Sequence, residues 1–160
     1  PRTGKMASVF ADVLGMKPEE RAVFVFGARL HDVGKLRVDT TLLNAPRKLS
    51  DNDLAVVRLH ARLGAELGRE LDWNPMIVDV VEHHHERWDG TGYPDGLQGN
   101  EISLEARAMA LIDVWDALRH DRPYRKALSV DEARGVLYQQ RGWYAPELLT
   151  LFVNEVAIHE

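Results

Sequence analysis

The chain has 160 residues, 45% hydrophobic and 28% charged, the composition of one globular domain with a core of its own. A net charge of −5 argues against a general nucleic-acid surface, so no nucleic-acid polymer is expected as a partner. The absence of cysteine removes disulfides and thiolate ligands together, which fits a reducing cytoplasm, and no apolar run nears the roughly 18 residues of a membrane span.

Met6, Val9, Phe10, Val13 and Leu14 recur with a helical period, so the chain is expected to begin inside or just before a helix, as a piece of a longer protein. Pro18-Glu19-Glu20 opens a second helix through Val23 to Leu30, and His31-Asp32-Val33-Gly34-Lys35 ends it. Leu36 to Lys48 reads as loop with a short helical turn. Ser50 with Asp53 is a capping box that starts a helix to about Arg69, with Leu54, Val57, Ala61, Gly64, Leu67 and Leu71 as its inward stripe and His60 among them. Asn74-Pro75 begins a fourth helix whose Ile77, Val78, Val80 and Val81 lead into three consecutive histidines. A turn-rich stretch, Gly90 to Gly99, follows. Ser103 caps a helix over Leu104 to Arg119 with the stripe Ala106, Ala110, Asp113 and Ala117. Asp121-Arg122-Pro123-Tyr124 breaks it. Ser129 with Glu132 starts a helix to about Gln140, and Pro146 starts the last, to the C-terminus. The expected fold is all-α, a single-domain bundle of about seven helices.

The densest chemistry lies in Glu82-His83-His84-His85-Glu86-Arg87-Trp88-Asp89-Gly90-Thr91-Gly92-Tyr93-Pro94. Imidazole is the commonest protein ligand for transition metals, so this stretch reads first as part of a metal site. Partners stand elsewhere on inward or helix-end positions: His31, Asp32, His60 and Asp113. Each alone has a plainer explanation. His31-Asp32 can cap a helix, His60 can be a hydrogen-bonded core histidine, and Asp113 can pair with a buried arginine. Their joint occurrence on separate helices is how bundles build metal sites in their cores.

His31-Asp32-Val33-Gly34-Lys35 resembles the HD signature of the HD phosphohydrolase superfamily, and His84 to Pro94 resembles the longer signature of its HD-GYP subgroup. The likeness continues through Pro46-Arg47-Lys48-Leu49, His60 with Gly64, Asp113 to Leu118, and Asp121 to Tyr124, nearly the whole chain. The resemblance implies an HD-domain-like bundle that hydrolyses cyclic di-GMP, a bacterial second messenger, to linear pGpG or GMP. It implies two divalent metals, with a third in question, and iron or manganese as their identity. By position, His31, Asp32, His60, His84, His85 and Asp113 match metal ligands, with Asp32 as the bridge. Asp32 and Lys35 match catalytic positions, and Lys35, Arg122 and Arg125 match groups that hold substrate phosphates. Arginine at 125 stands where the family often has lysine, with the charge kept and the geometry changed.

Two departures accompany the likeness. A further ligand histidine of the family's first helix belongs upstream of Pro1-Arg2-Thr3-Gly4, and Arg119-His120 stands where small hydroxyl residues are common. His83 is the spare histidine. Glu86 and Asp89 are read either as carboxylates that orient histidine N–H groups or as surface groups. Tyr93 either packs inward or helps shape the site and a partner surface; a signalling protein docking on the Gly-Tyr-Pro loop and an N-terminal regulatory domain are expected partners. Two other readings stay open: a catalytically weak or degenerate module that binds cyclic di-GMP or a signalling partner without turnover, and a different HD-type nucleotide phosphohydrolase.

Overall fold

A computed structural model describes residues 2–121 and 125–157. Among them are nine α-helices: α1 (Arg2–Val13), α2 (Pro18–Leu30), α3 (Thr40–Leu43), α4 (Asp51–Arg58), α5 (His60–Glu70), α6 (Pro75–His83), α7 (Leu104–Arg119), α8 (Val130–Gln139) and α9 (Pro146–Leu151). Short 3-10 turns at Val33–Arg37, Gly99–Glu101 and Arg141–Trp143 and a π turn at Phe152–Val156 complete an all-α architecture, with no β-strand among the described residues. None of these helices is long and apolar enough to cross a membrane.

Helix starts are written by short polar side chains. Ser50, Ser103 and Ser129 each accept a hydrogen bond from the backbone N–H three residues on, and Asn74 caps Met76 ahead of Pro75. These bonds satisfy amides that have no partner inside the helix. α7 buries Ala106, Ala108, Met109, Leu111, Ile112 and Trp115, a set too wide for one stripe, because α1, α6, α8 and α9 all pack on it. Trp115 and Phe10 both meet the Phe152 ring edge-on, at centroid distances of 5.9 and 5.2 Å, and all three are fully buried. α2 packs between α1 and α6, and α5 lies against both α6 and the 3-10 turn that follows α2.

The structure departs from the sequence reading at three places. The helix expected from Ser50 to Arg69 is two helices. At Leu59 the N–H bonds to the Val56 carbonyl at 3.2 Å, three residues back instead of four, while the His60 ring takes the Val57 carbonyl at 2.8 Å. The turn tightens there and resets the register. The expected stripe therefore fails at both ends: Leu54 and Leu71 are exposed, and His60, Ala61, Gly64, Ala65 and Gly68 are the buried set of α5. The short helical turn expected within 36–48 is there as the four-residue α3, while α9 gives way to the π turn; counting α3 and the split helix, the about seven expected helices are nine among the described residues. On α7 the stripe Ala110, Asp113 and Ala117 is only half-buried; the fully buried face lies beside it.

Candidate metal centre

Three histidines reach the centre in the same way. His31 stands at the C-terminal end of α2, His60 just past the end of α4, and His84 at the end of α6. In each, ring Nδ1 bonds the backbone carbonyl three residues back: Ala28 at 2.9 Å, Val57 at 2.8 Å and Val81 at 2.9 Å. The last carbonyls of a helix lack intrahelical partners, so a histidine there donates its Nδ1–H to one of them. That fixes the tautomer and leaves Nε2 as a lone-pair donor aimed inward.

The inward nitrogens meet the carboxylates. His31 Nε2 lies 3.5 Å from both Asp32 Oδ2 and Asp113 Oδ1, and His60 Nε2 lies 3.4 Å from Asp32 Oδ1. His60 Nε2 and His84 Nε2 are 3.4 Å apart. With both Nδ1 atoms donating to carbonyls, these two Nε2 atoms present lone pairs to each other inside the protein, an arrangement that a cation between them relieves. His60, His84 and His85 bring one ligand atom each within 4.8 Å of one another. Imidazole and carboxylate donors, with no thiolate in the chain, form a set suited to a first-row divalent metal. The residues fit a metal.

Burial decides the protonation of most of the cluster. It pushes His60 below its ordinary value, His84 well below, and His85 down to about 4, so all three are neutral imidazoles at pH 7, the form that binds metal. Burial also lowers His31, but the hydrogen bond to Asp113 and the charge of Asp32 outweigh it and leave the group raised. For Asp113 burial acts upward, yet the His31 hydrogen bond and the neighbouring imidazoles hold the carboxyl well below the usual carboxylate range. Asp32 is lowered in the same way, against burial, by His31 and by Lys35, whose Nζ lies 2.6 Å from Oδ2.

Close backbone approach puts the Asp32–Lys35 turn beside His60. A Cβ on Gly34 would lie 1.9 Å from the His60 carbonyl oxygen and 2.5 Å from the Gly64 nitrogen, so only glycine fits. The other wall is the loop after His85. A Cβ on Gly92 would lie within 2.4 to 2.6 Å of backbone atoms of His85, Glu86 and Arg87. Glu86 is buried and accepts the backbone N–H groups of Asp95, Gly96 and Leu97 at 2.7, 3.1 and 3.1 Å. Its carboxylate therefore holds the loop and orients no histidine. Asp89 accepts from the N–H and hydroxyl of Thr91, a local turn, and it too leaves the histidines alone.

The structure brings His31, Asp32, Lys35, His60, His84, His85 and Asp113 together. His83 faces away, Nδ1 toward Asp79 at 2.9 Å and Nε2 toward Asp95 at 3.2 Å. Arg125 does not join the cluster: its guanidinium donates to the carbonyls of Ala117, Leu118 and Lys126, closing the C-terminal end of α7. Arg122 lies outside the described residues. Two residues near the centre escaped the sequence reading. The Arg58 guanidinium lies 5.1 Å from the Tyr93 ring centroid, at a cleft of about 330 Å³ formed by Ala55, Arg58, Leu59, Arg62, Tyr93 and Pro94. Tyr144, buried, lines a small cavity of about 90 Å³ behind His84 and His85. Nothing local in the sequence marks either residue, since both are brought in by tertiary packing.

The model of the family described as HD domain matches residues 1–148. The chain belongs to the HD-domain family. Similar proteins include the cyclic di-GMP phosphodiesterase response regulator RpfG of Xanthomonas campestris pv. campestris, 41% identical over 143 residues, which cover 88% of this chain and 38% of RpfG. The cyclic di-GMP phosphodiesterase PA4108 of Pseudomonas aeruginosa is 43% identical over 131 residues, 81% of this chain and 32% of that protein. This HD domain thus spans well under half the length of those relatives. Its fold matches the structure of Bd1817, an HDG"Y"P protein from Bdellovibrio bacteriovorus, with a TM-score of 0.78 at 20% identity, covering 96% of this chain and 49% of the other.

Proposed function

We propose that this HD domain is the catalytic part of a metal-dependent phosphodiesterase that hydrolyses cyclic di-GMP to linear pGpG or GMP. The observation that carries the reading is the buried pair of facing Nε2 lone pairs on His60 and His84, ringed by His31, Asp32, His85 and Asp113. The names and activities of RpfG and PA4108 support the substrate. His31, Asp32, His60, His84, His85 and Asp113 would hold two divalent ions, iron or manganese. Bound there, such ions supply Lewis acidity at the phosphoryl oxygens and make water a stronger nucleophile near neutral pH.

The chain's own groups do the rest. The carbonyls of Ala28, Val57 and Val81 keep three imidazoles in one tautomer throughout a turnover. Lys35 steadies the Asp32 carboxylate and, half-exposed, offers its ammonium to the phosphate and to the charge developing on the leaving oxygen. Arg122 is proposed as a further phosphate contact from its place in the sequence. Arg58, exposed at the neighbouring cleft, adds a cation that Arg125, turned onto α7, does not. The greater length of the relatives supports reading the 160 residues as one domain of a longer protein; a cytoplasmic location, an N-terminal regulatory domain and a signalling partner docking on the Gly-Tyr-Pro loop are proposed with it.

The deciding experiment incubates protein reconstituted with Fe²⁺ or Mn²⁺ with cyclic di-GMP and separates products by chromatography. Appearance of pGpG or GMP, abolished by chelator and restored by metal, is the expected result. Tight binding of cyclic di-GMP without product would make the domain a binding module. Hydrolysis of linear nucleotides alone would make it a nucleotide phosphohydrolase of another kind.

A further inference from the structure

His85 is held differently from its neighbours. Among the described residues no hydrogen bond fixes its ring, and its nearest carboxylate oxygen, Asp113 Oδ2, is 4.0 Å away. Its contacts are with rings. The His84 centroid lies at 4.1 Å, that of His60 at 5.1 Å, and that of Tyr93 at 4.8 Å with an interplanar angle of 31°. The two histidines belong to the cluster themselves, so among the described residues Tyr93 is the one stacking partner that is not a candidate ligand.

Several bonds hold the loop that carries Tyr93. Its N–H donates to the His85 carbonyl at 3.3 Å, which ties the tyrosine to the backbone of the residue it stacks on. Gly92 lets the loop lie directly on residues 85–87, and the Glu86 carboxylate gathers the three amides that follow Pro94. Asp95 is tied down twice more, by Arg62 at 2.5 Å and by His83 at 3.2 Å. A loop fixed by so many bonds to the segment that bears His85 presents a rigid aromatic face.

We propose that Tyr93 is a positioning residue: its ring sets the orientation of His85 as a metal ligand, doing by stacking what carbonyls do for His31, His60 and His84. The Gly-Tyr-Pro motif is on this account an aromatic lock on one ligand. The inference rests on the reading that the cluster binds metal, and it is independent of the substrate.

The test uses metal-stripped wild type, Tyr93→Phe, Tyr93→Leu and Tyr93→Ala, titrated with Mn²⁺ while free ion is followed by electron paramagnetic resonance. Co²⁺ substitution reports the ligand field by its visible spectrum. Tyr93→Phe keeps the ring and should match wild type in both. Tyr93→Leu and Tyr93→Ala should weaken one of the binding events by about tenfold to a hundredfold and alter the Co²⁺ band. Leucine fills much of the space, so it answers the question if the alanine variant misfolds by circular dichroism. Wild-type affinity in the leucine variant overturns the inference, and so does a phenylalanine variant as weak as the leucine one, because the hydroxyl would then be the agent. A wild-type chain that binds Mn²⁺ but cleaves no cyclic dinucleotide defeats the proposed function and leaves this inference standing; one that takes up no Mn²⁺ defeats both.

Discussion

Two regions of this domain flank the same cluster and are built in opposite ways. On one side α1, α2, α6 and α7 interlock around Phe10, Phe24, Met109, Ile112 and Trp115, all fully buried. On the other, α3 and α4 carry no buried residue at all, and Leu54, Val56 and Leu59 are 39, 43 and 50% exposed. The packed side supplies His31, His84, His85 and Asp113. The open side supplies Arg58 and the lip of the cleft, and it delivers His60 where α4 hands over to α5. On the proposed function, rigidity falls where metal-ligand geometry would have to be held, and sparse packing where a substrate would enter.

That contrast can be broken from either side. The largest effect is expected at the shared centre: Asp32→Ala or His84→Ala should remove hydrolysis to below detection and lower bound metal, with the helical circular dichroism signal kept. Unchanged turnover in either variant would reject the assigned site. Next comes the packed side, where Trp115→Ala or Phe152→Ala should cost about 3–5 kcal/mol in denaturant unfolding by leaving a cavity. A loss under about 1 kcal/mol would mean the core is not where the buried rings place it.

A pH effect ranks third. In the folded, metal-free protein His85 titrates near about 4, whereas an unfolded chain holds histidine near about 6.5. Between those values the unfolded chain binds a proton that the folded one refuses, so the stability contributed by keeping His85 neutral is complete above pH 6.5 and is lost as pH falls toward 4. Thermal scans from pH 7 to 4.5 should show a falling midpoint, and His85→Gln should flatten that slope. Smallest is the open side. Ser50→Ala removes the α4 cap for about 1 kcal/mol of helix stability, and Leu54→Ala should stay within about 0.5 kcal/mol. Hydrogen exchange should find α4 amides opening long before those of α7; equal protection would erase the distinction between the two sides.

His31, Asp32, His60, His84, His85 and Asp113 could be singled out from the chain because each is a polar group at a helix end or on an expected inward stripe, and the structure brings them together; that they hold metal is the proposal. The sequence carried the caps at Ser50, Ser103 and Ser129 for the same local reason. What it concealed depends on atoms far apart. No proline or glycine marks the turn at Leu59, where the N–H bonds three residues back to Val56 and the His60 ring bonds the Val57 carbonyl. Arg125 has the charge of a phosphate ligand, but the end of α7 offers it carbonyls closer at hand. Glu86 reads as one more carboxylate beside histidines, and only the fold of the loop turns three amides onto it.

The bonds from His31, His60 and His84 to carbonyls three residues back have a consequence for how the centre can vary. The acceptors at positions 28, 57 and 81 belong to the main chain, so any residue that keeps the helix end intact supplies the same oxygen. Side-chain replacement there cannot delete the acceptor, and an alanine scan would pass over it in silence. The tautomers of half the donor set are inherited from helix geometry, free to persist while the letters around them drift.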